Sequence, residues 1–360
     1  MNNFKNFFNL NKFKKKMKNT EDLYEKNNKS STIIKNIFII NILLKSVFYI
    51  FCIEIIFKSI QIQKISNFEQ DKYYPYFFCF AAIGKKENRY AKEVIDYYRE
   101  IGVDKFIIAD NNDKNSEKFS DIFEKEISDG LIDIIDYIGK NKNQMELYAE
   151  VYDMYQSKCN WISFFDFDEF LEIRNGYSTL TIKEYLSEPK FKKCDVVVIN
   201  WLIYSDNDLV LYDNRSVIQR FTEPLYNSED NRFIKSIVRG NIRFNPWTKS
   251  VSCHRPQRAR RTCDSYGNRA KTFNDVLKPP KLDFVYIKHF STKTAEEFAQ
   301  RVKRGHPFVV LGTYSQRVDK FFKHNKVTKE KVLILEKMLN RSFPKYHYIF
   351  KQQTINFSKI

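Results

Sequence analysis

Asp166-Phe167-Asp168-Glu169 is the stretch of this 360-residue sequence whose residue types and spacing point most directly to chemistry. In an extended chain residues i and i+2 share a face, so Asp166 and Asp168 are expected to point together while Phe167 turns into the core. Two carboxylates converging at a strand end suit a hard divalent cation with oxygen ligands, Mg²⁺ or Mn²⁺, that keeps open positions for phosphate oxygens. The same pair also suits acid and base work on a glycosidic bond, and an acidic strand end in a solvated loop has the same sequence. Other chemistries lack their motifs. There is no G-x-G-x-x-G, no G-x-x-x-x-G-K-[ST] and no H-E-x-x-H, which disfavours a dinucleotide fold, a P-loop and a zincin. Six cysteines (Cys52, Cys79, Cys159, Cys194, Cys253, Cys263) contain no C-x-x-C pair, so a zinc ribbon is not expected. Most sit in apolar runs, where a buried free thiol is the default; a Cys253–Cys263 bridge is left open.

The elements that must position these acids alternate. Apolar runs of strand length at Tyr76–Ile83, Lys105–Ala109, Leu131–Ile138 and Trp161–Phe165 are separated by helical patterns at Glu87–Ile101, Ser116–Ser128 and Gln144–Gln156. Such alternation predicts an α/β fold, a mostly parallel sheet with helices on both faces. Ligands in these sheets bind beyond the carboxyl ends of the strands, where Asp110 and the Asp166/Asp168 pair fall. Past about residue 205 the signals weaken, and two helices, Ala295–Arg304 and Lys329–Leu339, close the chain.

Composition bounds the class. Aromatic residues make up 16% and hydrophobic residues 43%, which excludes a wholly disordered chain. The net charge of +17 points to an anionic partner. Part of it lies in residues 1–30, which hold eight Lys and three acidic residues, just before the apolar segment Ile33–Phe57. A spanning helix needs roughly 20 mostly apolar residues, and the basic flank would keep the N-terminus cytoplasmic. The expected organisation is a basic tail at 1–32, a membrane signal anchor at 33–58, a stem at 59–75, a catalytic domain at 76–325 and a C-terminal helical extension at 326–360. A helix lying on the membrane surface or packed on the domain is the alternative. With the anchor, the protein is a single-pass type II membrane protein, of the Golgi or endoplasmic reticulum in a eukaryote or of the inner membrane in a bacterium. The sequons at Asn214, Asn340 and Asn356 would then face the lumenal or outer side.

The block Trp161 to Leu171 (WISFFDFDEFL) resembles the W-x-x-x-x-D-x-D-E-F-[LI] segment of GT-A glycosyltransferases of the family 92 and family 2-like group. Gly84-Lys85-Lys86-Glu87-Asn88, Tyr97, Gly102-Val103 and Asp110-Asn111-Asn112-Asp113 resemble that group's opening. Lys235-Ser236-Ile237-Val238-Arg239, Lys288-His289-Phe290-Ser291-Thr292-Lys293-Thr294, Glu297-Phe298 and Lys303-Arg304-Gly305 resemble later segments in the same order. The likeness covers about residues 75–306. It implies a GT-A (Rossmann-like) fold and transfer of a sugar from a UDP- or GDP-sugar donor to a hydroxyl of a glycan acceptor. A metal held by Asp168, with Asp166 reaching the metal or the ribose, would neutralise the diphosphate leaving group. Asp110 and Asn111 would meet the base or ribose, or simply shape a turn, and Glu169 would touch the donor sugar or cap the next element. His289, just past the apolar run Phe284–Ile287, would complete the metal shell or bond a phosphate; a core histidine is the other reading. Lys235 and Arg239 would bind diphosphate if exposed together. His254 lies in an irregular segment, and Arg255, Arg258, Arg260 and Arg261 form a basic loop of the kind usually solvated. An inverting reaction needs a general base, for which Glu229 and Asp230 are the candidates. Two other classes compete: an inactive GT-A-like domain that binds glycans or nucleotides, and a basic nucleic-acid-binding protein. The intact acid pair argues against the first. The aromatics at buried periodicity, and the absence of a reading motif, argue against the second and against a nucleic-acid partner.

Overall fold

Tyr76–Gly84 (β1, YFFCFAAIG) is a near-continuous apolar run, as a strand covered on both faces must be. Its side chains divide by period two. Phe78, Phe80 and Ala82 pack on one face with Tyr90, Ala91, Val94, Ile95 and Tyr98 of α1 (Asn88–Glu100). Cys79 and Ala81 pack on the other. There they join strands β2 (Lys105–Asp110) and β4 (Cys159–Phe164) in a core covered by Tyr148, Val151, Tyr152 and Tyr155 of a helix at Gln144–Tyr155. With β3 (Ile132–Asp136) these strands form a parallel half-sheet in the order β3-β2-β1-β4. The single helix expected at 116–128 is two short ones, α2 (Phe119–Ile122) and α3 (Glu124–Ser128). Phe123 between them leaves helical geometry and is buried with Phe119. The helix at Gln144–Tyr155 is α4.

The structure is a computed structural model and describes residues 42–49, 53, 74–138, 144–175, 178–243, 245–248, 252–257, 259–273, 275–305 and 314–349. It divides into two units, Met1–Tyr73 and Tyr74–Ile360. In the first, residues 42–49 are helical, with Leu43, Leu44, Val47, Phe48 and Tyr49 exposed. No helix among the described residues is long and apolar enough to cross a membrane. Most of the expected anchor at 33–58 and of the stem at 59–75 lies outside the described residues.

The sheet as a whole is mostly parallel, as the sequence predicts, and beyond β4 it becomes mixed. β5 (Glu169–Asn175), β6 (Ser178–Thr179), β7 (Val196–Ile203), β8 (Ile234–Arg239) and β10 (Val285–His289) extend it in the order β4-β8-β7-β10-β5-β6, with β9 (Thr262–Cys263) alongside β7. β8 runs antiparallel to both β4 and β7, and β10 antiparallel to β5. Antiparallel neighbours need no crossover helix. The long connection from β7 to β8 accordingly carries only the short α6 (Val217–Arg220), after α5 (Ile182–Leu186) earlier in the chain.

Helices α7 (Ala295–Arg304), α8 (Tyr314–His324) and α9 (Lys329–Leu339) share one apolar cluster that includes Phe298, Val302, Val318, Phe321, Val332 and Leu335. A boundary at 325/326 therefore cuts through a packed helical unit. Lys331, fully buried, ties that unit to the loop after β7 through Asp206 at 2.7 Å and Asp208 at 3.0 Å.

The cysteines overturn the expectation of buried free thiols. Neighbouring strands β1 and β4 bring Cys79 to Cys159, and the β9–β7 pairing brings Cys263 to Cys194; both pairs are disulfides with Cα atoms 5.9 Å apart. Cys253, the open candidate for a bridge to Cys263, is the free cysteine among the described residues.

Candidate active site

The chain leaves β4 at Phe164 and turns at once. Glu169 N–H donates to the Asp166 carbonyl at 3.1 Å, and Asp166 N–H donates to Glu169 Oε2 at 2.9 Å. Phe167 goes into the core and stacks on Phe119. Gly84 at the end of β1 leaves room for that stack, since a Cβ there would lie 2.2 Å from the Phe119 ring. Because residues 165–168 turn, the period-two rule lapses, and the two aspartates take different partners. Asp166 meets Lys235 Nζ of β8 at 2.9 Å, and Lys235 also meets Glu169 at 3.3 Å. Burial works against the charge on Lys235, but the two carboxylates outweigh it and hold the ammonium charged. Burial, with Asp166 and Asp168 nearby, pushes Glu169 up to about 8.

Asp168 faces the other way. The antiparallel register of β10 with β5 sets His289 opposite Glu169, so its ring reaches Asp168, Nε2 to Oδ1 at 3.7 Å. Arg301 of α7 lies 3.0 Å from Asp168 Oδ2, and Lys293 3.7 Å from the same oxygen. Burial alone would raise the Asp168 carboxyl, yet Lys293 and Arg301 outweigh it and hold it well below the carboxylate range. Burial holds His289 well below the usual histidine value, so its ring is neutral. A Mg²⁺ or Mn²⁺ ion commonly takes one or two protein ligands and completes its shell with phosphates and water. A buried carboxylate beside a neutral imidazole, whose Nδ1 lacks any hydrogen-bond partner, fits that demand. Asp166 does not join them, being paired with Lys235. No group of three or more His, Cys, Asp or Glu able to hold a metal gathers among the described residues.

Next to Asp168 opens a cavity of about 240 Å³ between the start of α1 and α7. Lys86, Arg89, Lys293, Arg301 and Arg304 line it against Glu87 and Glu297. Glu297 is consumed in its wall, bonded by Arg220 at 2.7 and 2.9 Å and by the Tyr90 hydroxyl at 2.7 Å. Arg304 pairs with Glu87 at 2.8 Å. Lys86 and Lys293 both hold left-handed backbone, with φ of +54° and +53°. Strain of this kind in non-glycine residues persists where the surroundings over-determine it, commonly at ligand sites. Lys293 and Arg304 fall in segments that resemble the family, but the sequence by itself gives no role to them or to Arg89 and Arg301. A signal was available: Glu297, Arg301 and Arg304 fall at i, i+4 and i+7 on one face of α7.

The other expected site residues divide. Asp110 is buried, with Oδ1 accepting from Asn112 N–H and Oδ2 from Phe119 N–H, both at 2.9 Å, so it shapes the loop. Asn111 N–H bonds the Gly84 carbonyl at 2.9 Å, and its side chain is partly exposed. Arg239 is a correction. It pairs with Trp161 near the start of β4, away from Asp166, and stacks on that indole at 3.9 Å. Its guanidinium is spent on the carbonyls of Cys194 and Phe191 and on Asn160 Oδ1. Lys235 and Arg239 therefore do not act together. Burial pushes His254 down to about 4, and the ring packs on Trp201 with Nδ1 3.0 Å from the Ile234 carbonyl. Glu229 is exposed, whereas Asp230 is buried against α8.

The sheet thus sets the acids of the β4–β5 turn beside a cavity lined by five basic side chains. The chain is a member of glycosyltransferase family 92, whose sequence model matches residues 74–279. It is a glycosyltransferase. A search of curated proteins returned no match. Among solved structures, the chain is similar to S. aureus TarS 1-349, with 13% identity over 77% of this chain and 73% of that one and a TM-score of 0.35. The same protein in complex with UDP (12% identity, 73% and 71% covered, TM-score 0.36) and with UDP-GlcNAc (12%, 73% and 79%, 0.34) is similar at the same level.

Proposed function

We propose that this glycosyltransferase moves a hexosyl group from a UDP- or GDP-sugar to a hydroxyl of a glycan or glycoconjugate acceptor, with inversion at the anomeric carbon. The observation that carries the reading is the basic cavity beside Asp168. Lys86, Arg89, Lys293, Arg301 and Arg304 outnumber the acids that line it, and guanidinium forks match phosphate oxygens bidentately. In a buried setting such preorganised cations stabilise the charge that develops on a departing diphosphate. Asp168 and His289 would hold a divalent cation, which supplies Lewis-acid stabilisation of the same oxygens. Asp166, partly exposed beside Lys235, is free to meet the ribose on its open side. Asp230 would take the acceptor proton as the acceptor oxygen bonds to the anomeric carbon. The bond from that carbon to the phosphate oxygen breaks, and its electron pair leaves with the nucleoside diphosphate. Two disulfides support a domain held in an oxidising compartment, as the type II arrangement requires.

Release of nucleotide from a panel of UDP- and GDP-sugars, with and without Mn²⁺, tests the reading. One nucleotide class should be released, faster with the metal, and Arg301→Met should weaken binding of that free nucleotide. Folded protein that binds neither UDP nor GDP would overturn the proposal.

A further inference from the structure

The C-terminal helices reach the same edge of the sheet as Asp168. Asp230, 8% exposed, sits in the turn Glu229–Arg232. Its neighbour Asn231 fastens that turn to the end of β7, accepting from Ile203 N–H at 2.9 Å. Ile203 is in turn the register partner of His289. From α8, Lys320 interacts electrostatically with both Asp230 and Asp168, so the two acids share one field. The two oxygens of Asp230 are held unequally. Oδ2 lies 3.0 Å from Nε2 of His324, a residue 4% exposed at the end of α8; the contact is a close charge pairing of a protonated ring without hydrogen-bond geometry. Oδ1 lies 2.7 Å from Lys323 Nζ, on a side chain that is 44% exposed. The position of His324 is itself fixed: the next residue, Asn325, accepts from Asp206 N–H at 2.7 Å, and Lys331 bonds the Asp206 carboxylate.

We infer that His324 is a positioning residue for Asp230, clamping Oδ2 so that Oδ1 can receive the acceptor proton once the acceptor hydroxyl displaces Lys323. This rests on the reading of Asp230 as the general base. The clamp comes from a helix beyond residues 74–279, the part of the chain that matches the family, and so from this chain's C-terminal unit. Burial and ion pairing make the division of labour physical. A buried imidazole has one geometry to offer, whereas an exposed lysine exchanges its partner for water or a sugar hydroxyl at little cost. Lys320, Lys323 and His324 are the charged or titratable groups that face Asp230 from α8. His324 first, with Lys323, holds its carboxyl well below the ordinary range despite partial burial. Replacing the histidine by a neutral polar side chain should therefore raise the pH below which Asp230 is protonated and the reaction stops.

The test follows nucleotide release from the UDP- and GDP-sugar panel, with water in the acceptor's place, as a function of pH for Asp230→Asn, His324→Gln and His324→Leu. Binding of UDP and GDP and the thermal midpoint are measured on each variant. His324→Gln should keep nucleotide affinity and the plateau rate while its acid limb moves to higher pH, each unit of movement giving a roughly tenfold loss on the acid side. His324→Leu should also lower the plateau; if it fails to fold, the Gln variant decides alone. Asp230→Asn inactive with His324→Gln unchanged in limb and plateau overturns the clamp and leaves the base assignment standing. Asp230→Asn at the parental rate removes the base assignment, and the clamp with it.

Discussion

Asp168 has a role apart from the metal binding proposed for it, because it is the common counter-ion of Arg301 and the buried Lys293. Asp168→Asn should abolish metal-stimulated turnover and, by leaving Lys293 uncompensated, cost about 1–3 kcal/mol of stability. Thermal melting beside a Mn²⁺ titration checks both; a variant as stable as the parent would mean that Lys293 has another partner. The depressed carboxyls have a pH consequence with a definite sign. Asp168 and Asp230 are both held below the unfolded Asp value of about 3.9. Their contribution to stability is thus complete above that value and is lost as pH falls through the folded-state pKa values. At this scale the sequence pointed to Asp166 and Asp168 through residue type and spacing. It did not reveal that they part company, since that follows from a turn whose geometry depends on Phe167 finding Phe119.

Among the elements, the end of β1 and the helix α7 do most to shape the site. Gly84 is where β1 meets the Phe119–Phe167 stack, and Phe119 N–H is in turn a donor to Asp110. Gly84→Ala should cost about 1–3 kcal/mol by overpacking and loosen the loop from Asp110 to Phe119, visible as a lowered thermal midpoint and faster amide exchange there. No change in either would show that the ring can move aside. α7 begins with a reciprocal cap, Thr294 with Glu297, and its bounds match the expected Ala295–Arg304. Which face of α7 meets Asp168 was not readable, because that depends on the β10–β5 register. The same holds for Lys331. It reads as one more basic helix residue, yet it is buried between Asp206 and Asp208. Lys331→Met strands the buried Asp206 carboxylate and should cost about 3–5 kcal/mol, measurable by denaturant unfolding.

For the whole molecule, the two disulfides close separations of 80 and 69 residues. Long loops of this kind bring about 2–5 kcal/mol of stabilisation each when bridged. Reductant should therefore lower the midpoint of the domain, and peptide mapping without reduction should recover Cys79 with Cys159 and Cys194 with Cys263. Free thiols at those four positions in protein isolated from its native source would remove the support for an oxidising compartment. Asn214 and Asn340 are exposed, as modification on that side would require, while Asn356 lies outside the described residues.

Local rules carried the sequence reading a definite distance. Apolar runs of strand length and helical periodicity determined the α/β class, the first four strands, the helices Ala295–Arg304 and Lys329–Leu339 and the acidic strand end, because each depends on neighbours within a few positions. They did not determine α8 between those helices. Tertiary structure alone decided which cations meet Asp168, that Arg239 is spent on Trp161 and backbone carbonyls, which cysteines pair, and that Asp230 answers to His324. Those contacts join residues far apart in the chain, and strand order and register, which no local pattern encodes, determine which of them meet.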